Sequence, residues 1–232
     1  MADEDAPQCK VEFLDTPDGA EPETANWLSR PGRAKVTYPG GTVYEGGYDG
    51  ERKRSGEGKY TWVAPAEEEG EEPTVLATFS GIYVDGRKTG VGCMTFPNGD
   101  KYTGAWVDNR IEGEGTYEYK ATGDIYSGAW QNGKKHGRGI YQFGRDESLL
   151  EGIWEVGALA HGGKWTFADG TAFAGGFKDN QPLGAGVFSF QSGIVQKGKF
   201  VAPAPTADAD AEEEGEPRPA VAHWVGESIV VS

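Results

Sequence analysis

The sequence predicts an all-β chain: an elongated, single-layer, twisted antiparallel sheet built from tandem β-hairpins. Three observations carry that reading. A motif recurs every 23 or 24 residues, the smallest and the largest side chains are abundant together, and turn dipeptides fall midway through each recurrence. With 37 glycines and 7 tryptophans among 232 residues and a mean hydropathy of −0.59, a thick aliphatic core is out of reach. Any core here is thin and aromatic.

The recurrence is found before anything else is read. Its first half is aromatic-x-Gly-x-aromatic: Phe79-Ser80-Gly81-Ile82-Tyr83, Tyr102-Thr103-Gly104-Ala105-Trp106, Tyr126-Ser127-Gly128-Ala129-Trp130, Leu150-Glu151-Gly152-Ile153-Trp154 and Phe173-Ala174-Gly175-Gly176-Phe177. An earlier copy starts at Tyr44-Glu45-Gly46-Gly47-Tyr48, and a truncated one at Gln196-Lys197-Gly198-Lys199-Phe200. The second half is Gly-x-Gly followed by two alternate aromatic or Met positions, as in Gly113-Glu114-Gly115 with Tyr117 and Tyr119. Gly32 through Gly41 resembles such a second half, and one repeat has His161 in place of its first glycine.

Alternation puts both aromatics and the glycine of each first half on one strand face. The partner strand repeats the arrangement, and Asp85-Gly86 or Asn132-Gly133 supplies the turn between them. Glycine weakens a strand, but it also leaves a gap over which a ring can lie flat. The expected repeat-core aromatics are therefore Tyr44, Tyr83, Tyr102, Trp106, Tyr126, Trp130, Trp154, Phe173 and Phe177. Intervening positions such as Thr103, Thr116, Ser127 and Gln142 are small or polar and should face water.

Charge divides the chain. The formal net charge is −15, yet residues 31–62 and 77–200 together are close to neutral. The acidity belongs to residues 1–30, read as a mostly disordered segment, to an insert loop at 63–76, and to a Pro/Ala-rich tail at 201–232 that contains Trp224. Between them lie a degenerate half repeat with the first full repeat (31–62), and repeats two to six with a partial seventh (77–200). That balance gives no support to nucleic-acid binding. The N-terminus reads Met1-Ala2-Asp3-Glu4-Asp5, unlike a signal peptide, so a soluble intracellular protein is expected. Cys9 and Cys93 are read as free thiols.

No residue set points to catalysis, a metal or a cofactor. His136 stands where other units have Thr89, Glu112 or Leu183, His161 and His223 lack Cys or His at ligand spacing, and the Gly-x-Gly pairs do not follow phosphate-loop spacing. Basic residues recur just past the turns: Arg52, Lys53 and Arg54, Arg87 and Lys88, Arg110, Lys134 and Lys135. They read either as solvated turn residues or as a docking strip for an acidic protein or anionic lipid. Trp27 and Trp224 stand outside the repeats, either as caps on the sheet end or as partner anchors.

The units resemble MORN repeats, whose form is Tyr-x-Gly-x-Trp, a turn glycine, then His-Gly-x-Gly. The stretch Tyr126 to Gly139 matches position for position, and the resemblance covers about 44–200. Asn180 to Phe188, Gln196-Lys197-Gly198 and the acidic run leading to Val221-Ala222-His223-Trp224 resemble radial spoke head proteins of motile cilia and flagella. That resemblance implies a non-enzymatic axonemal scaffold without cofactors. Its implied partners are other radial spoke head proteins, including a second MORN protein or a copy of itself, with the central pair apparatus as the surface faced. The alternative is a membrane-associated MORN adaptor that binds anionic lipid through the basic edge.

End-to-end stacking of the hairpins predicts a particle more extended than a compact domain of this length. Small-angle X-ray scattering on residues 31–200 checks it, and a globular profile overturns the architecture.

Overall fold

The structure, a computed structural model, describes residues 9–16, 23–25, 28–64, 73–202 and 222–231. Every regular element among them is a β-strand, as the alternation predicts. The chain divides into two units: residues up to Gly123 with Trp130–Gly133, and Asp124–Ala129 with the residues from Lys134 onward.

The first unit contains β1 (Lys10–Phe13), β2 (Thr24–Ala25), β3 (Gly32–Thr37), β4 (Val43–Tyr48), β5 (Arg54–Ala64), β6 (Thr74–Val84), β7 (Arg87–Thr95), β8 (Lys101–Val107) and β9 (Arg110–Glu118). From β3 to β9 each strand is antiparallel to the next, while β1 pairs with both β2 and β3. In the second unit β10 (Ile125–Gln131), whose last two residues belong to the first unit, lies beside β11 (Lys134–Gln142). Then follow β12 (Leu149–Glu155), β13 (Ala158–Thr166), β14 (Ala172–Lys178), β15 (Gln181–Ser189), β16 (Ile194–Val201) and β17 (His223–Val231). Each strand from β11 to β17 is antiparallel to its successor.

The register sets glycine opposite glycine in every repeat hairpin, as in Gly46 with Gly58, Gly81 with Gly92, Gly104 with Gly115 and Gly175 with Gly186. The first aromatic of the repeat lies across that pair. A methyl group on Gly115 would run into the Tyr102 ring, on Gly139 into Tyr126, and on Gly186 into Phe173. Tyr44, Phe79, Tyr102, Tyr126 and Phe173 are consequently 0% exposed. Where Leu150 replaces the ring, Leu159 takes over the gap above Gly152 and Gly163.

The other glycine of each Gly-x-Gly has a different task. Gly90 and Gly113 take positive φ where the hairpin register shifts, a backbone that side chains with a Cβ rarely adopt. The His161 repeat keeps this bulge by moving the positive φ one residue on, to Gly162 at 118°. Two-residue turns with positive φ at both centres join the strands: Asp85-Gly86, Asp108-Asn109, Val156-Gly157 and Asp179-Asn180. Val156 is the misfit, a β-branched residue at φ 52° and 70% exposed.

The described ends differ from the sequence expectation. Within 1–30, β1 buries Val11 and Phe13 almost completely, and the Arg30 guanidinium lies 4.2 Å from the Phe13 ring centre while pairing with Asp15 at 3.0 Å. Averaged acidity hid the short alternation Lys10-Val11-Glu12-Phe13. Within 201–232, β17 forms a strand on β16. The insert narrows too, since Val63 pairs with Val75 and Ala64 with Thr74. The expected disorder at 1–8, 17–22, 65–72 and 203–221, and Trp27, lie outside the described residues.

Gly115→Ala should destabilise the protein by roughly 1–3 kcal/mol, because the Tyr102 ring has nowhere to move. Val156→Asn should stabilise it by about 1 kcal/mol, because asparagine tolerates the left-handed turn and little packing is lost. Thermal melts of both variants check the pair of signs.

Candidate functional site

The functional surface follows from the position opposite the second aromatic of each repeat. Register pairs Tyr48 with Arg54, Tyr83 with Lys88, Trp106 with Ile111, Trp154 with Leu159, and Phe177 with Pro182. A long cationic side chain at this position reaches over the rings. Lys135 holds the same sequence position in its own repeat.

Three of these side chains are cations, and each is surrounded by rings. The Arg54 guanidinium lies 5.8, 5.1 and 5.1 Å from the Tyr44, Tyr60 and Tyr83 ring centres. Lys88 Nζ lies 5.0, 4.8 and 5.0 Å from Trp62, Phe79 and Trp106. Lys135 Nζ lies 5.5, 4.6 and 4.7 Å from Tyr126, Tyr141 and Trp154. The negative ring faces attract the charge, and the alkyl stems cover apolar surface. Burial, with Arg54 nearby, lowers the Lys88 pKa; burial also lowers that of Lys135, with Asp124 opposing it. The same burial pushes Tyr44 and Tyr102 up to about 12.

The eight candidate docking cations are thus split. Arg54, Lys88 and Lys135 are half-buried among rings, whereas Arg52, Lys53, Arg87, Arg110 and Lys134 are exposed. Lys53 pairs with Glu51 at 2.6 Å and Arg87 with Asp108 at 3.3 Å. All nine expected core aromatics are buried, with Tyr48, Phe79 and Leu150 beside them. Trp106, Trp130 and Trp154 also donate Nε1–H to the carbonyls of Gly92, Gly115 and Gly139 in the preceding repeat, at 3.3, 3.1 and 3.1 Å.

Trp224 sits half-buried in β17, opposite Phe200. Its ring lies 4.9 Å from Phe188 and 5.3 Å from Phe200, and its Nε1–H donates to Gln196 at 3.2 Å. It occupies the partner strand of the seventh repeat, whose Gly198 faces Gly226. The tail thereby completes a hairpin that the sequence reading left truncated. His161 contacts Glu155 at 3.1 Å, and no cluster of three or more His, Cys, Asp or Glu suited to a metal occurs among the described residues. No helix there is long and apolar enough to cross a membrane.

The sequence reading missed a pair of acidic turn residues. Asp100 is 7% exposed; Oδ1 accepts the Lys120 N–H at 2.8 Å, and Oδ2 accepts the Asn98 amide at 2.8 Å and the Tyr117 hydroxyl at 2.9 Å. Asp124 does the same with the Tyr141 hydroxyl at 2.6 Å and the Gly144 N–H at 2.7 Å. The available signal was Gly-Asp-x-Tyr, present at 99–102 and again at 123–126. Burial alone would raise the Asp100 carboxyl, but the hydrogen bonds from Lys120, Asn98 and Tyr117 outweigh it and hold the pKa below the ordinary value.

In the second unit the aromatic face opens into a groove of about 390 Å³. Phe143, Trp165, Phe167, Phe188 and Phe200 wall it, and the fully buried Phe173, with Pro182, Ala222 and Asp179, completes its lining. The arrangement offers ring faces and one carboxylate, a surface for binding.

A model of the MORN repeat matches residues 53–63, 79–101, 102–121, 126–145 and 173–195. It passes over the repeat that contains Leu150 and His161, the two departures compensated by Leu159 and Gly162. No curated protein sequence matches the chain. Among solved structures it is similar to the Drosophila melanogaster SAS-4 (dCPAP) TCP domain in complex with a proline-rich motif of Ana2 (dSTIL), at 12% identity over 80% of this chain and 90% of that one, with a TM-score of 0.35.

The Asp100 clasp predicts an acid response. A folded pKa below the unfolded value of about 3.9 means a stabilising contribution that is complete above about pH 4 and lost as pH falls through the folded value. Asp100→Asn should therefore melt lower than wild type at neutral pH, and its melting temperature should change less between about pH 5 and pH 3. Parallel profiles for the two proteins would remove the clasp from the account.

Proposed function

We propose that this chain, a carrier of MORN repeats, is a structural scaffold of the axonemal radial spoke head in motile cilia or flagella, contributing to the regulation of motility. MORN repeats are interaction modules, and they fill much of the chain. The finer assignment is supported by the likeness of residues 180–188, 196–198 and 221–224 to radial spoke head proteins. Its partners are other spoke head subunits, among them a second MORN protein or a copy of this chain, and the surface it faces is the central pair apparatus.

The membrane-adaptor reading draws on the same basic residues. Rings engage Arg54, Lys88 and Lys135, and carboxylates engage Lys53 and Arg87, which favours protein docking over a lipid-facing strip. Surface cations held in this way have less to gain from an anionic membrane.

Immunolocalisation of the tagged chain after detergent extraction tests the proposal. The chain should stay on the axoneme and should not float with phosphoinositide-containing liposomes. Complete release by detergent, together with flotation, would replace the scaffold with the adaptor.

A further inference from the structure

The repeats allow the second-unit groove to be compared with its own siblings. Around Arg54 the rings are Tyr44, Tyr60 and Tyr83, drawn from the first strand, its partner strand, and the following repeat. Around Lys135 they are Tyr126, Tyr141 and Trp154, from the same places. The corresponding rings near Pro182 are Phe173, Phe188 and Phe200, and all three line the groove.

Their spacing is kept. Phe173 and Phe200 are 5.1 Å apart, against 5.3 Å for Tyr44 and Tyr83 and 5.3 Å for Tyr126 and Trp154. Phe188 and Phe200 are 6.2 Å apart, as are Tyr141 and Trp154. Two things differ: the Trp224 ring packs against all three, 5.9, 4.9 and 5.3 Å from Phe173, Phe188 and Phe200, and the side chain opposite the second aromatic is changed. In the other two repeats it is a long cation, and here it is Pro182, a short uncharged side chain that leaves the groove open.

We infer that this groove binds a lysine or arginine side chain presented by a basic segment of a partner protein. The ring cluster is one that the same scaffold fills with a cation three times over, counting Lys88. Asp179, in the groove's lining, is the carboxylate that meets the charge. The stacked rings of Phe143, Trp165 and Phe167, inclined by 25° and 21°, offer a flat wall for the alkyl stem. This inference rests on the reading of the repeats as an interaction module and not on their placement in an axoneme. Its test uses purified protein, so a failure of ciliary localisation leaves the outcome untouched.

The probe is a fluorescent peptide of four Gly-Arg repeats at near-physiological salt, with a Gly-Gln peptide of equal length as control. Binding is read by anisotropy and by the Trp165 indole resonance, using the full chain, Pro182→Lys and Pro182→Gln. The inserted lysine should occupy the groove as Lys88 and Lys135 occupy theirs. Pro182→Lys should then weaken peptide binding at least tenfold and melt no lower than wild type, while Pro182→Gln binds within a few-fold of wild type. Equal binding by all three proteins would assign the peptide to the acidic segments and overturn the inference. Equal binding of the Gln peptide would do the same, as would a Pro182→Lys variant that melts well below Pro182→Gln. An Arg218→Gln variant that gains affinity for the peptide would give the groove to the chain's own arginine, which also overturns it.

Discussion

The contact on which the structure depends is a flat ring lying on two facing glycines. A ring above an ordinary strand pair would stand off from the backbone and need a second layer to exclude water. With no Cβ on Gly104 or Gly115, the Tyr102 ring descends to the backbone, its hydroxyl donating to the Ala105 carbonyl at 3.1 Å. Rings of the same and the next repeat then close over it edge-on, Trp106 at 5.5 Å and Trp130 at 5.5 Å. Core burial is thus obtained from neighbours along the sheet, which explains why each repeat needs another beside it.

That geometry also explains the division of labour among the basic residues. Of two adjacent positions past a turn, alternation sends one outward and the other over the rings. Lys88 and Arg87 are such a pair, the first ringed by aromatics and the second meeting Asp108 in solvent. A position that faces the rings can be filled by a cation, by Ile111, or by Leu159, because each brings an apolar stem to an apolar surface. Sequence variation there changes the chemistry of the face while leaving the hairpin intact.

Much of this was legible in the sequence. The strands, the turns at Asp85-Gly86 and Asn132-Gly133, and the buried face all follow from alternation and spacing. What escaped was of two kinds. Short strands inside acidic surroundings, at Lys10–Phe13 and His223–Val231, were masked because charge was averaged over segments longer than the strands themselves. Contacts that join residues about 20 apart, such as Tyr117 to Asp100 or Lys88 to the Trp106 ring, depend on register between repeats, which no single motif encodes. The basic residues were recognised as a recurring set, but the split within each pair becomes visible only once the bulge has fixed which residue faces the rings.

The pairing of β17 with β16 has a kinetic meaning. Two residues separate the strands of most repeat hairpins, whereas residues 202–222 separate these two. Bringing together strands that are this far apart in the chain costs about 2 kcal/mol more in chain entropy, so the pairing nucleates late and opens early. One peptide-bond cleavage within 203–221 would convert β17 from a tethered strand into a dissociable ligand, and its departure would bare Phe188 and Phe200. The end of the array is therefore where its lifetime is decided.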